Sequence, residues 1–434
     1  MPKKFHEIKV APELESMVVD LITGLSDGIN IQARNEDGSF VLGWPDAKIK
    51  SGYLGFEPNA AVVELALPPS PSPAEIRKSV ENGYAFLDKH LRPAGWGAGA
   101  VSHIGPNDEP IFEDNLPRYA LNKLWFGEEG WRMQGHQVSQ HRNVNLPTRE
   151  EIGDEKKFER EVVRRFNLSI GFAPVLNAIT ASSKFYQGKA YGESHRTELL
   201  RDIAYAHFQE AVTLPNYITS VAEHQEWISE ITDKKIERMK VVAEAAERKD
   251  LIEEIDLAYE RQKTGGVVRI RGEDESYRLE DRGDDLPDID TIVGACTLEM
   301  GLLRQDIPVY PGAMSNQFYD GTSFRPLAIA TLRGFRNQLP GMGINHPELK
   351  AYALQVLRAA QNGLSREEQH ELEPIEEIIH TGKTLSKRLE NEALELGYDT
   401  TNLTAEQGGV LALRSREYTG AAVQPQKNKL QYVA

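Results

Sequence analysis

The chain has 434 residues, 40% hydrophobic and 27% charged, an ordinary globular composition long enough for two or three domains or one large catalytic body. Its formal net charge of −16 excludes a general nucleic-acid surface, which needs a basic face, although local Arg, Lys and bound cations can reverse the field inside a cleft. One cysteine, Cys296, excludes an internal disulfide framework and a zinc-type Cys cluster; with no signal-like apolar stretch after MPKKFHEIKV and no run of about 18 apolar residues, the expected setting is cytoplasmic, without a membrane span.

Residues 5 to 70 read as strands and turns: EIKVAPELESMVVDL, a Gly/Asn/Asp-rich connection, SFVLGW, then NAAVVELALPP. Strand side chains alternate, so Glu13 and Glu15 point one way and Leu14 the other. The Pro run from Pro68 to Pro73 ends that segment, because proline cannot donate to a ladder. Ser72 before PAEIRKSVENGYAFLDKHL opens a helix with Ile76, Val80, Tyr84 and Leu87 on one stripe. PAGWGAGAVSHIGPNDEP reads as strand and loop, and LPRYALNKLWFGEEGW as a short amphipathic helix. Residues 134 to 147 form a strand with His141, Asn143 and Asn145 facing away from Val144 and Leu146.

From 154 to 263 the pattern turns helical, a helical insertion within a single catalytic domain spanning 1–434. FEREVVRRFNLSIGFAPVLNAITASS suits a core helix bent or broken at Pro174. The charged stretch from 223 to 263 reads as one long helix or a helical hairpin standing off the core, its charges a solvated face or a partner-docking surface. GGVVRIRGEDESYRLEDRG is a hairpin signal, with Arg278, Glu280 and Arg282 sharing a face against Tyr277, Leu279 and Asp281. Everything after Asp288 looks helical, Cys296 reads as a small buried helix residue, and the tail 417–434 is expected to be poorly ordered. HTGKTLS lacks the first glycine of a phosphate loop, and its Thr-Gly more simply caps a helix. Strands and helices follow in blocks without regular alternation, so the class is α+β with a mainly antiparallel sheet.

Core strands have no packing reason to carry several inward charges, since a buried charge is costly unless it meets a metal or a partner. Glu13, Glu15, Glu57, Glu64, His141 and Glu280 therefore point to a divalent-metal site. Mostly hard oxygen donors suit Mg²⁺ or Mn²⁺ better than zinc. Crowded carboxylates need two or more cations, and such cations receive a polyphosphate, hence a nucleotide. Arg282, two residues past Glu280, is placed to stabilise charge developing on a transferring phosphoryl group.

ELES, FEPNAAVVEL, QHRNVNL and YRLEDRGDD, in that order, resemble the acidic first strand, second acidic element, histidine strand and Glu–Arg strand of the glutamate–cysteine ligase family. That family lies within the carboxylate–amine ligases of glutamine-synthetase-like fold. The resemblance implies a curved antiparallel sheet with helices packed on it, and metal roles for Glu13, Glu15, Glu57, Glu64, His141 and Glu280. It implies a catalytic, phosphoryl-steadying Arg282, and from ASSKFYQGKAYGESHR an Arg196 beside substrate or phosphate. Pro12 stands where a Gly-Val lead-in is commoner, Glu57 where some relatives carry Asp, and His136 competes with His141. The implied activity joins glutamate to cysteine with ATP through an acyl phosphate. The alternatives are a sister ligase with another amine acceptor, or a relative that binds metal and nucleotide without turnover.

Overall fold

The computed structural model describes residues 7–37, 39–44, 53–99, 104–106, 111–112, 117–199, 208, 212–253, 260, 264–272, 277–307, 309 and 326–418. The tail expectation therefore falls mostly outside the described residues.

A seven-stranded sheet positions the site. Its strands are β1 (Val10–Asp20), β2 (Tyr53–Phe56), β3 (Val62–Ala66), β4 (Trp96–Gly99), β5 (Ser139–Asn145), β8 (Val268–Arg271) and β9 (Arg278–Asp285), while β6 (Phe185–Tyr186) and β7 (Lys189–Ala190) form a separate hairpin. The order is β2-β3-β1-β5-β9-β8, with β4 on the far end of β1, and every pairing is antiparallel. Long β1 serves three partners because its length lets β5 take Val10–Leu14 and β4 take Met17–Asp20. With helices on the sheet, this is the expected α+β class.

The longer helices are α1 (Pro73–Leu91), α2 (Pro117–Gly135), α3 (Glu155–Ile179), α4 (Val221–Ala245) and α5 (Ile289–Leu303), followed by shorter ones to Tyr418. Ser72 caps α1 by accepting from the Glu75 N–H, and Ile76, Val80, Tyr84 and Leu87 are buried as the stripe requires. Helix α5 is buried almost all round, Cys296 included, and packs on α1 and β1. Gly382, in the left-handed region (φ 72°), ends the helix Glu373–Thr381, which is the capping role read for HTGKTLS.

Four local readings are corrected. SFVLGW is not a strand; only an isolated bridge joins Arg34 and Phe40, because Asp37 turns the chain by accepting from the Ser39 N–H. The segment at LPRY holds two short helices rather than one: Gly127, with φ 71° and ψ 171°, is not helical and separates them within α2. Helix α3 is unbroken at Pro174, since every residue from 164 to 179 is buried and tertiary packing holds it. Helix α4 does not stand off: Met239 and Ala243 pack with Leu121 and Leu251, and His224 lies edge-on to Phe166 and accepts the Ile270 N–H of edge strand β8. Within 154–263, α3 belongs to the main core and the β6–β7 hairpin interrupts the helical pattern. No helix among the described residues is long and apolar enough to cross a membrane.

Candidate functional site

Register brings the acids together. Glu13 lies directly opposite His141, Glu15 opposite Glu64, and Asn143 opposite Glu280. Neighbouring strands are about 5 Å apart, so same-face residues on β3, β1, β5 and β9 become neighbours. Glu57 does not share a strand with Glu64, as FEPNAAVVELAL suggests. At seven residues' spacing they would face opposite ways on one strand. Instead Glu57 sits at the end of β2, and the turn into β3 returns it to the same side. Buried Asn59 sets that turn: its Oδ1 accepts from the Ala61 N–H and its Nδ2 donates to the Gly135 carbonyl at the end of α2.

The six residues separate into two triads, Glu13–His141–Glu280 and Glu15–Glu57–Glu64, each with ligand-type atoms within 4.8 Å of one another. His141 stands between them, its Nδ1 3.8 Å from Glu13 and its Nε2 3.7 Å from Glu15. Ser139 bonds both that Nε2, at 2.9 Å, and Glu15. His136, the competing histidine, bonds Tyr186 instead and joins neither triad.

The electrostatics fit a cation at each triad. Burial and the neighbouring Glu13, Glu57 and Glu15 push the Glu64 carboxyl up to about 10, so it holds a proton at neutral pH. Burial also opposes ionisation of Glu13, but the His141 ring and Asn143 outweigh it and bring Glu13 down to about 2. The buried Nδ1 of His141 makes no hydrogen bond. An orphaned imidazole nitrogen among carboxylates that cannot all ionise is a donor set matched to a hard divalent ion.

Arginines face these acids. Burial disfavours charge on Glu280, yet Arg269, Arg282 and Arg271 outweigh it and hold the carboxyl well below its usual range. Arg269 pairs with one Glu280 oxygen, and Arg271 with the other at 3.0 Å. Between Gln140 and Arg142 the β5–β9 register slips by one residue, a bulge that sets Arg282 and Gly283 opposite His141. A Cβ at position 283 would stand 2.5 Å from Asn177 Nδ2, so a side chain there would push Asn177 away from Asp284. Behind it, Asp281 and Asp284 both reach buried Arg142, as Glu299 of α5 does at 2.8 Å.

Glu15, Glu57, His141, Arg196 and Arg282 line one cleft. Arg196 Nη2 donates to the Arg282 carbonyl at 3.1 Å. The sequence reading missed Arg336 and Trp131 on the same walls, and also Arg269 and Arg271. The last two carried a signal, the alternation of VVRIRG beside a Glu-bearing strand; Arg336 and Trp131 lie in helical stretches whose pattern marks nothing. Acid on one side and guanidinium on the other is an arrangement for metal-bound phosphates and carboxylates.

A family model described as glutamate-cysteine ligase family 2 matches residues 11–413. No curated protein matches the sequence. Among solved structures, the chain resembles a glutamate–cysteine ligase from Francisella tularensis in complex with AMP, at 13% identity and TM-score 0.60, covering 96% of this chain and 90% of that one. It also resembles a bifunctional glutathione synthetase from Pasteurella multocida, at 14% identity and TM-score 0.57, covering 95% of this chain and 52% of that one. At such identities the likeness is one of fold.

Proposed function

The chain belongs to glutamate–cysteine ligase family 2, and from that premise we propose that it is an ATP-dependent ligase forming a γ-glutamyl amide from glutamate and cysteine. The observation that carries this is the pair of acidic triads, whose members Glu15, Glu57 and His141 line one cleft together with Arg282 and Arg196. The AMP held by the Francisella tularensis protein supports nucleotide use.

Glu13, His141 and Glu280 would hold one Mg²⁺ or Mn²⁺, and Glu15, Glu57 and Glu64 another. Such ions supply positive charge against the polyphosphate. In the first step the γ-carboxylate of glutamate attacks the terminal phosphorus of ATP and the bond to ADP breaks, leaving an acyl phosphate. The amine nitrogen then attacks the acyl carbon, phosphate departs with the bonding pair, and the amine loses a proton. Arg282 donates to the moving phosphoryl oxygens, where charge builds in the transition state. Arg196 holds an anionic substrate group beside it.

The test is Mg²⁺-dependent ADP production with glutamate, with and without cysteine, beside a panel of other amines. Release that needs cysteine supports the reading, and release that needs another amine makes the chain a sister ligase. Nucleotide binding without ADP release under any amine overturns it. Arg282→Ala should abolish turnover while nucleotide still binds; near-normal ligation by that variant removes Arg282 from the mechanism.

A further inference from the structure

Strand β9 reads RLEDRGDD, and its last acid, Asp285, neither joins a triad nor lines the cleft. It is 2% exposed and gathers four donors. Oδ2 accepts from the Ser182 N–H at 3.0 Å, the Ser183 N–H at 3.1 Å and the Ser183 hydroxyl at 2.6 Å, and Oδ1 accepts from the Ser194 hydroxyl at 3.1 Å. Ser182 and Ser183 lie between α3 and the β6–β7 hairpin, in no ladder or helix. Their N–H groups therefore need a partner from elsewhere.

The same bonds lead to the cleft. Ser183 Oγ accepts from the Arg196 N–H at 3.3 Å, and Arg196 Nη2 returns to the Arg282 carbonyl at 3.1 Å. A closed circuit results: β9 from Arg282 to Asp285, across to Ser183, on to Arg196, and back to Arg282. Both guanidinium-bearing segments are tied to one strand end.

We propose that Asp285 is a positioning residue that seats Arg196 beside Arg282, so that the two arginines meet substrate as a unit. This rests on the ligase reading for what Arg196 binds. Three donors converge on Oδ2, two of them N–H groups that cannot accept. Asparagine would lose the charge that strengthens all four bonds and set an N–H₂ against Ser194 Oγ, which already accepts from the Thr197 N–H at 3.5 Å. The arginines lie on different elements, and a shift well under the length of a hydrogen bond would separate them from a common phosphoryl or carboxylate group.

The experiment is a double-mutant cycle on Asp285→Asn and Arg196→Ala, read as kcat/KM for ADP production, with melting temperatures for every variant. Asp285→Asn is expected to lower kcat/KM about tenfold or more in the wild-type background and by no more than about twofold when Arg196 is already alanine. Equal losses in both backgrounds, or no loss in the first, overturn the proposal. If Asp285→Asn fails to fold, Ser194→Ala takes its place under the same criteria. If the wild-type chain releases no ADP with any amine, the ligase reading has failed, and the cycle is read on Mg-ATP affinity by calorimetry. There, coupling between positions 285 and 196 supports the seat and independence overturns it.

Discussion

The two faces of the β5–β9 pair carry the same chemistry one residue out of step. His141, Glu280 and Arg282 serve the cleft, while their neighbours Arg142, Asp281 and Asp284 face the helices. Each face crowds carboxylates together, Asp281, Asp284 and Glu299 behind and the two triads in front. Behind the sheet, Arg142 donates to Glu299 and Asp281 at 2.8 Å each and pairs with Asp284, which also accepts from Asn177 at 2.7 Å. Burial, and then nearby Asp281, push Glu299 up to about 7 against the pull of Arg142. In front, Glu64 rises to about 10, but the cleft is open. The difference is access: the closed face balances its charge with its own guanidinium and protons, whereas the open face can admit cations.

The largest test breaks the closed face. Arg142→Met strands three buried carboxylates, and urea denaturation is expected to show a loss of about 3–5 kcal/mol. A loss below about 1 kcal/mol would mean that the closed face is not balanced by its arginine.

Next comes pH. The Glu299 carboxyl sits at about 7 in the fold against a usual 4.5, so the folded state binds the extra proton between those values. The stability it lends is whole below pH 4.5 and is lost as pH rises through 7, a span of about 3 kcal/mol. Glu299→Gln has no such proton to lose, so stability curves of wild type and variant should converge on one side of this window and part on the other. Parallel curves would remove the protonated carboxyl from the account.

The open face is tested by adding what it lacks. Mg²⁺ at a hundred times its dissociation constant should stabilise the wild-type chain by about 2.7 kcal/mol, seen as a rise in melting temperature. No rise would sink the contrast between the faces. The smallest effect sharpens it. Since Glu64 is already protonated at neutral pH, Glu64→Gln should change stability by less than about 1 kcal/mol without metal, yet remove much of the Mg²⁺-dependent gain.

Much of this was legible in the chain. Glu13 and Glu15 declared a common face through strict alternation, and His141 was separable from His136 by strand parity. Ser72 announced α1. What sequence could not supply was register. Nothing local says that Glu15 meets Glu64, because pairing depends on turns outside each strand. Glu57 joins its triad through a turn held by Asn59, so its spacing from Glu64 misled. Pro174 was overridden by packing along all of α3, and SFVLGW by one Asp37 turn. Asp285 carried no signal, since its partners lie about a hundred residues upstream.

The one-residue slip in β9 also bears on how this protein tolerates change. With the extra residue present, Asp281 and Asp284 look the same way although three positions separate them. Deleting Gly283 would restore plain alternation, with Arg282 alone opposite His141, and would leave Asp284 paired with Gln140 and Asp285 with Ser139 on the sides they already face. The bulge is thus the one place along β9 where a residue can be lost with the partners on both sides kept, whereas a change of length elsewhere in the strand would turn every following side chain over.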